Sequence, residues 1–220
     1  MATLFEWGGA DEGAGREPGV SIAAGIVTQN LDVPMEGKVL VRIPSQDRDV
    51  WVRLTAPGAG SGAGLFYVPR VDDEVLVAFA SGDLRDGYLL GGLWSMRDRI
   101  PASDPATALT TRLLRSGVTS GTGHQLEMDD LLQSITLTTS TDQKITMDPA
   151  KIELTNLAGT VTVTLDNATQ SISITAAASI KLEAPQVSIK GATVEINGAA
   201  TTDVKSGGVC SVSAPLVKLN

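Results

Sequence analysis

The sequence lacks several residue types that common functional sites require. Of its 220 residues, only Cys210 is a cysteine and only His124 is a histidine. One cysteine excludes an intrachain disulfide framework, and one histidine excludes a His-rich metal site or a conventional zinc finger. No apolar run reaches the length of about 18 residues that a membrane-spanning helix needs. The sequence therefore predicts no transmembrane helix and no metal centre.

Charge and the first residues exclude further classes. The formal net charge is -8, and the start of the chain carries acids where a secretory signal peptide would carry basic residues. Binding phosphates requires clustered Lys and Arg, so the acidic balance argues against nucleic-acid specificity. His124 is also the one candidate base for a Ser-His-Asp triad. We expect a protein that is not an enzyme, needs no cofactor and is made without a signal peptide.

Aromatic residues divide the chain into two unlike parts. All eight aromatic residues lie in the first 94 positions, so the remainder must fold without a large ring in its core. The sequence between the two parts contains two prolines and many Ser, Thr and Gly residues, which is typical of a connector. We predict four regions: an N-terminal arm over 1–20, a barrel over 21–95, a linker over 96–123 and a repeat region over 124–220.

The first part predicts a small antiparallel β-barrel or sandwich. Short runs rich in Val, Ile, Leu and aromatic residues follow one another from Ser21 to Trp94, bounded by Gly, Pro, Asp or Asn. In Lys38-Val-Leu-Val-Arg-Ile43 every second residue is Val or Ile. This alternation indicates strands with one buried face.

The second part repeats short apolar-polar-apolar triplets between turn residues. Strict alternation indicates strands, and regular recurrence indicates a solenoid whose repeats are stable only when stacked. Two aliphatic residues per strand make a thin core for one chain. We therefore favour a homotrimer in which each chain supplies one face of a narrow prism and aliphatic side chains meet on the axis. The residues predicted for this trimer core are Ile135, Leu137, Ile145, Met147, Ile152, Leu154, Val161, Val163, Ile172, Ile174, Ile180, Leu182, Val187, Ile189, Val194 and Ile196.

Three runs of residues, taken in order, resemble a known family. The first is Gly37-Lys-Val-Leu-Val-Arg-Ile-Pro44. The second is Gly64-Leu-Phe-Tyr-Val-Pro-Arg70 with Asp73-Glu-Val-Leu-Val-Ala-Phe79, and the third is Gly123-His-Gln-Leu-Glu-Met-Asp129. Together they resemble the central spike proteins of contractile injection systems, which include the phage baseplate assembly protein V group and the valine-glycine repeat spike proteins of type VI secretion.

The resemblance implies an all-β fold, an N-terminal OB-fold barrel followed by a C-terminal triple-stranded intertwined β-helix. It implies a structural central spike of a contractile phage tail baseplate or of a phage-tail-like injection system. This rigid trimeric needle would pierce the target cell envelope when the sheath contracts, meeting the target membrane only then. It would reside in a virion tail baseplate or a tail-like particle made in the bacterial cytoplasm. The alternative is a carbohydrate- or nucleic-acid-binding OB module on a monomeric β-solenoid.

The resemblance also implies partners at the upper end. Larger family members contain an upstream hub domain, for which 220 residues leave no space. The expected partner is therefore a separate baseplate hub protein, contacted by the arm residues Leu4, Phe5 and Trp7. Baseplate wedge or inner tube proteins are expected neighbours. The β-helix is expected to start at Gly123, His124, Leu126 and Asp129.

At the lower end the resemblance implies a tip partner. Some short spikes of the family close their tip with histidines around a metal, and the last residues of this chain contain no histidine. The expected tip is instead a separate protein with proline-alanine-alanine-arginine (PAAR) repeats. Its predicted contacts are Leu216, Leu219 and Asn220.

Overall fold

The computed structural model describes residues 20–30, 37–101, 104–117 and 123–218. The regular elements among the described residues are almost all strands, which confirms the predicted all-β class. The strands of a closed barrel are β1 (Ser21–Gln29), β2 (Lys38–Ile43), β3 (Arg48–Leu54), β4 (Glu74–Phe79) and β5 (Gly87–Gly92). The strands of a separate sheet are β6 (Thr111–Arg115), β7 (Gln125–Asp129), β8 (Ser134–Thr138), β9 (Lys144–Met147), β10 (Lys151–Thr155), β11 (Val161–Asp166) and β12 (Ser171–Ala176). One helix, α1 (Pro105–Thr110), precedes β6, and single 3-10 turns follow β2 (Pro44–Gln46) and β4 (Ala80–Gly82).

The barrel closes in the order β1-β2-β3-β5-β4, with β1 pairing both β2 and β4. The β3–β5 pair is parallel and the other pairs are antiparallel. This closed five-stranded arrangement is OB-like, as predicted for the first part of the chain. Its core consists of alternate aliphatic residues with one aromatic ring, each at most 7% exposed: Val27, Val39, Val41, Ile43, Val52, Val75, Val77, Phe79 and Leu89.

Gly25 allows β1 to bend around the barrel core. A Cβ atom at this position would lie 2.4 Å from Cγ1 of Val41 and 2.9 Å from the carbonyl oxygen of Arg42. Glycine inside a strand often marks such a close approach. The next residue, Ile26, pairs with Glu74 of β4 and with Arg42 of β2, so the strand passes from one neighbour to the other at this point.

The second sheet is an antiparallel meander in which β6 to β12 lie side by side in chain order. Its register aligns apolar side chains across the strands in two continuous lines. The first apolar row is Leu114, Leu126, Leu137, Ile145, Leu154, Val163 and Ile174. The second apolar row is Met128, Ile135, Met147, Ile152, Leu165 and Ile172, with Arg112 at its β6 end. We call the side of the sheet formed by these two rows the apolar face.

The sheet begins earlier in the chain than the predicted repeat region. Residues 96–123 contain α1 and also β6, which pairs with β7 from Thr111 to Arg115. Leu114 of β6 lies opposite Leu126 and begins the first apolar row. The Pro, Ser, Thr and Gly residues that surround β6 suggest a connector, whereas cross-strand pairing with β7 decides the structure of these five residues.

Residues 177–218, which we call the tail, contain no strand, although they continue the apolar triplets. All tail residues are exposed. The hydrogen bonds within the tail are local, such as Lys205 Nζ to Asp203 Oδ2 at 2.8 Å and Gly208 N to Ser206 Oγ at 3.1 Å. None of the described tail residues forms a backbone–backbone hydrogen bond to another described residue. Within the part of the chain that the structure describes, the tail therefore has no paired strand beside it.

Among the described residues, no helix has the length and apolar character needed to cross a lipid bilayer.

Candidate assembly surface

The apolar face of the sheet is open to solvent. Leu137 is 44% exposed and Ile174 is 56% exposed, whereas the buried core of the described residues lies within the barrel. A groove of about 780 Å³ lies along the first apolar row and is lined by Leu114, Leu126, Leu137, Ile145, Leu154 and Val163. Exposed apolar surfaces of this continuity mark interaction sites.

The opposite face of the sheet is polar. The row between the two apolar rows consists of Glu127, Thr136, Thr146, Glu153, Thr164 and Ser173, with Leu113 at its β6 end. Lys151 Nζ donates to Glu153 Oε2 at 2.9 Å on this face, and this hydrogen bond raises the pKa of Lys151 above its ordinary value. The sheet thus has one face suited to water and one that is not, so the apolar face is the surface that needs a partner.

Side-chain oxygens at the strand ends fix the turns of the sheet. Asp129 Oδ1 accepts the N–H groups of Leu131 and Leu132, each at 2.9 Å. Asp148 Oδ1 accepts N–H groups of its following turn in the same way, and so does Asn156 Oδ1. Short polar side chains that accept from the backbone favour turns. These bonds hold the strand register that aligns the two apolar rows, and Asp129, predicted as part of the β-helix start, has this turn role.

Asp166 provides a pH-dependent test of such a turn. The backbone N–H of Thr169 donates to Asp166 Oδ1 at 2.8 Å, and this bond lowers the pKa of Asp166 below its ordinary value of 3.8. A carboxyl group whose pKa is lowered on folding stabilises the folded state at pH values above its ordinary pKa. That stabilisation is lost as the pH falls through the folded-state pKa. Asp166→Asn keeps the acceptor oxygen but removes the titration. At pH 6 we expect the thermal unfolding midpoint of the wild type to be higher than that of Asp166→Asn. The difference should shrink below pH 4. A difference that does not change with pH would contradict this role of Asp166.

Hydrogen bonds between Ser116 and His124 hold together the two ends of the connection between β6 and β7. Ser116 N donates to the carbonyl oxygen of His124 at 2.8 Å, and His124 N donates to Ser116 Oγ at 3.1 Å. The ring of His124 is also engaged, because its Nδ1 accepts the backbone N–H of Ser140 at 3.1 Å. His124 therefore joins the β6–β7 connection to the β8–β9 turn. Its Nδ1 faces a backbone donor here, which differs from the carboxylate partner of a catalytic triad.

Gly123, the residue before His124, lies where no side chain fits. It is buried, and a Cβ atom built on it would lie 1.4 Å from the carbonyl oxygen of Ser116. Leu126, three residues further on, lies in the first apolar row. The predicted β-helix start thus comprises a tight backbone contact at Gly123, a hydrogen-bonded His124, an apolar-row residue at Leu126 and a turn residue at Asp129.

The structure places the predicted trimer-core residues in two environments. Those from Ile135 to Ile174 lie on the apolar face, with Val161 on the same face of β11 as Val163. Those from Ile180 to Ile196 lie in the exposed tail. Their role in a trimer core stays a prediction.

Residues that the sequence interpretation omitted from this core also lie on the apolar face. They are Leu114, Met128 and Leu165, and Leu126 was assigned only to the start of the β-helix. A signal for Leu165 was present, because it continues the alternation of Val161 and Val163. Of the predicted end contacts, Leu216 is 70% exposed. Leu4, Phe5, Trp7, Leu219 and Asn220 lie outside the described residues.

A second groove, of about 640 Å³, lies where the barrel meets the sheet. Its lining includes four arginines, Arg70, Arg97, Arg99 and Arg115. Exposed Tyr67 and Trp94 also line it, together with the acids Asp73, Glu74 and Asp98. No group of three or more His, Cys, Asp or Glu side chains suited to a metal ion occurs in the part of the chain that the structure describes.

Comparisons with known proteins match the barrel and its surroundings. Residues 23–94 match the sequence profile of the type VI secretion system/phage-baseplate injector OB domain. The chain is 22% identical over 125 residues to the type VI secretion system spike protein VgrG1a of Pseudomonas aeruginosa, a match that covers 52% of this chain and 19% of that protein. The spike protein VgrG1c of the same organism is 23% identical over 125 residues, covering 52% of this chain and 17% of that protein. The chain thus spans less than a fifth of the length of these curated relatives.

Proposed function

We propose that this chain is the trimeric central spike of a contractile injection apparatus, because residues 23–94 match the injector OB domain of type VI secretion systems and phage baseplates. The barrel lies at the upper end of this spike, and the sheet and the tail form its needle. Sheath contraction drives the needle through the target envelope. The action is mechanical, and no bond chemistry is involved.

One observation supports the trimer above all others, namely the combination of an open apolar face with a tail whose backbone has no pairing partner among the described residues. Unpaired backbone N–H and C=O groups form hydrogen bonds where a partner is available. For an extended chain, that partner is the backbone of a neighbouring strand. The tail keeps the triplet period of the sheet, as in Val187-Ser-Ile189 and Val194-Glu-Ile196. Three identical chains with this period satisfy both needs, since their apolar faces meet on the axis and their tails pair with one another. The residues of this interchain core are those of the two apolar rows and the tail triplets.

The partners of the spike follow from its two ends. We assign the contact with the hub protein of the baseplate to the arm residues Leu4, Phe5 and Trp7. A PAAR-repeat tip protein binds at Leu216, Leu219 and Asn220, and baseplate wedge or inner tube proteins surround the barrel. Such a particle is a virion tail or a bacterial tail-like injection system, and its needle meets a membrane only on piercing.

A second function, ligand binding by an OB module on a monomeric chain, is favoured by the groove between barrel and sheet. Arginine guanidinium groups beside exposed aromatic rings suit carbohydrates or the phosphates and bases of nucleic acids. The three acids in the same lining oppose a densely charged polyanion. The spike is therefore the better supported function.

The absolute mass of the full chain distinguishes the two functions. We expect light scattering to give about three times the chain mass of 22.8 kDa, before and after mild heating in detergent. Resistance to detergent follows from interchain strand pairing, which buries both backbone and aliphatic groups. A clean monomer at micromolar concentration would overturn the spike and make ligand screening of the second groove the next step.

A further inference from the structure

The apolar pattern and the backbone pairing end at different places in the chain. Apolar residues alternate with polar ones from β7 through Val194-Glu-Ile196 of the tail. Within-chain strand pairing stops at Ala176, the last residue of β12. The needle region therefore consists of two segments with the same pattern and different pairing: the sheet, residues 111–176, and the tail, residues 177–218.

The sheet is preformed within one chain. Each of its strands pairs with the next along the sequence, and the turns from β7 onward are short and fixed by Asp129, Asp148 and Asn156. Contacts between residues close in sequence form early, because little loop entropy is lost. The sheet thus presents both apolar rows in register before any other copy arrives.

The tail, in contrast, is not preformed within one chain. Its 42 described residues extend without backbone pairing to the rest of the chain, and its aliphatic side chains, such as Ile189 at 69% exposed, face solvent. Ordering a free segment of this length has a large entropic cost at every residue. Joining three chains first reduces that cost, since tethered tails meet at about millimolar effective concentration.

The surface area favours two further copies of this chain as the occupants of the apolar face. Seven strands at about 4.8 Å spacing and about 17 Å length give a face of roughly 500 Å². A stable interface buries about 800 Å² per partner, so the sheet face is large enough for a first contact but falls short of a permanent one. The tail supplies the missing area, because it continues the same apolar triplets beyond the sheet.

We infer that the needle assembles in two steps, from the barrel towards the tip. The apolar faces of three sheets dock first and form a loose trimer. The three tails then pair with one another from residue 177 onward and make the trimer permanent. This inference rests on the proposed trimeric spike and adds the order in which its parts form.

Pulsed hydrogen exchange during refolding tests the order. The full chain is unfolded in guanidinium, diluted, labelled with short deuterium pulses and read by mass spectrometry of its peptides. We expect amides of 111–176 to become protected before amides of 177–218. Because the sheet forms within one chain, its protection should not depend on chain concentration, whereas the delay before tail protection should shorten with rising concentration until docking no longer limits it. Tail protection that precedes or coincides with sheet protection would overturn the order.

A matched pair of variants tests the division of roles. Ile189→Lys adds a charge at a predicted axial position of the tail, and Ser188→Lys adds the same charge one residue earlier, at the polar position of the same triplet. We expect Ile189→Lys to remain a trimer at micromolar concentration, with sheet amides protected, tail exchange accelerated at least tenfold and detergent resistance lost, whereas Ser188→Lys should behave as wild type. An Ile189→Lys chain that is wholly monomeric would overturn the two-step order. A wild-type chain that is itself monomeric with an unprotected tail would instead remove the proposed spike, and the inference with it.

Discussion

Leu137→Lys is expected to convert the trimer into a folded monomer. Leu137 lies in the first apolar row between Leu126 and Ile145, and its side chain is 44% exposed in the single chain. The single chain therefore tolerates a lysine there, whereas the trimer would enclose three ammonium groups near its axis. Lost burial alone costs about 1.5–3 kcal/mol per chain, which lowers the association constant roughly 10³- to 10⁷-fold for three chains. Burying unpaired charges adds to this cost.

Thr136→Lys is the control for this substitution. Thr136 is the preceding residue of β8 and lies on the polar face, opposite Glu127 on one side and Thr146 on the other. A lysine at this position meets an acid and solvent, so the trimer should persist. Mass by light scattering and far-ultraviolet circular dichroism together distinguish dissociation from unfolding. If Leu137→Lys stays trimeric at micromolar concentration, the apolar face does not line the trimer axis.

The second large effect is expected from Gly123→Ala, which adds one methyl group. That carbon would lie 1.4 Å from the carbonyl oxygen of Ser116 and 2.6 Å from the carbonyl carbon. The obstacle is backbone that is itself bonded to His124, so relief requires β6 to move away from β7. We expect a loss of about 3 kcal/mol in the free energy of unfolding. Hydrogen exchange should rise selectively in Thr111–Arg115, since this strand loses its pairing with β7.

Gly91→Ala serves as the matched control for that loss. Gly91 lies in barrel strand β5, and a Cβ atom there would have no heavy atom within 4 Å. The same methyl group should therefore leave the unfolding midpoint nearly unchanged. Equal effects of the two substitutions would mean that the contact between Gly123 and Ser116 does not hold β6 in place.

Local patterning in the sequence predicts much of the barrel. Val39, Val41 and Ile43 alternate with Lys38, Leu40 and Arg42, and only the first three are fully buried in the structure. The closing pair is harder to foresee, because β3 lies parallel to β5 across a long chain separation. Alternation states which side of a strand is buried but not which strand lies beside it.

For the apolar face too, the sequence predicts where strands form but not which strands pair. The triplets correctly indicate strands from Ile135 to Ile174, because their period of two is independent of context. Leu114 escapes this signal, since it follows Leu113 directly and is surrounded by connector residues. The change of pairing at Ala176 has no sequence signal, because the triplets before and after it are alike. In the proposed trimer, that change depends on which chain supplies the neighbouring strand.

In the proposed spike, the antiparallel order of β6 to β12 constrains how the length of the needle can change. Each strand runs opposite to the one before it, so the chain returns to the same lateral edge of the sheet only after two strands. A duplication or deletion that keeps the tail leaving from the same lateral edge of the sheet must therefore add or remove strands in pairs. Each pair changes the reach by about 9.6 Å, while the two apolar rows simply gain or lose two members. The length of such a needle is thus inherited in whole hairpins, and its lineage can vary reach without redesigning either end.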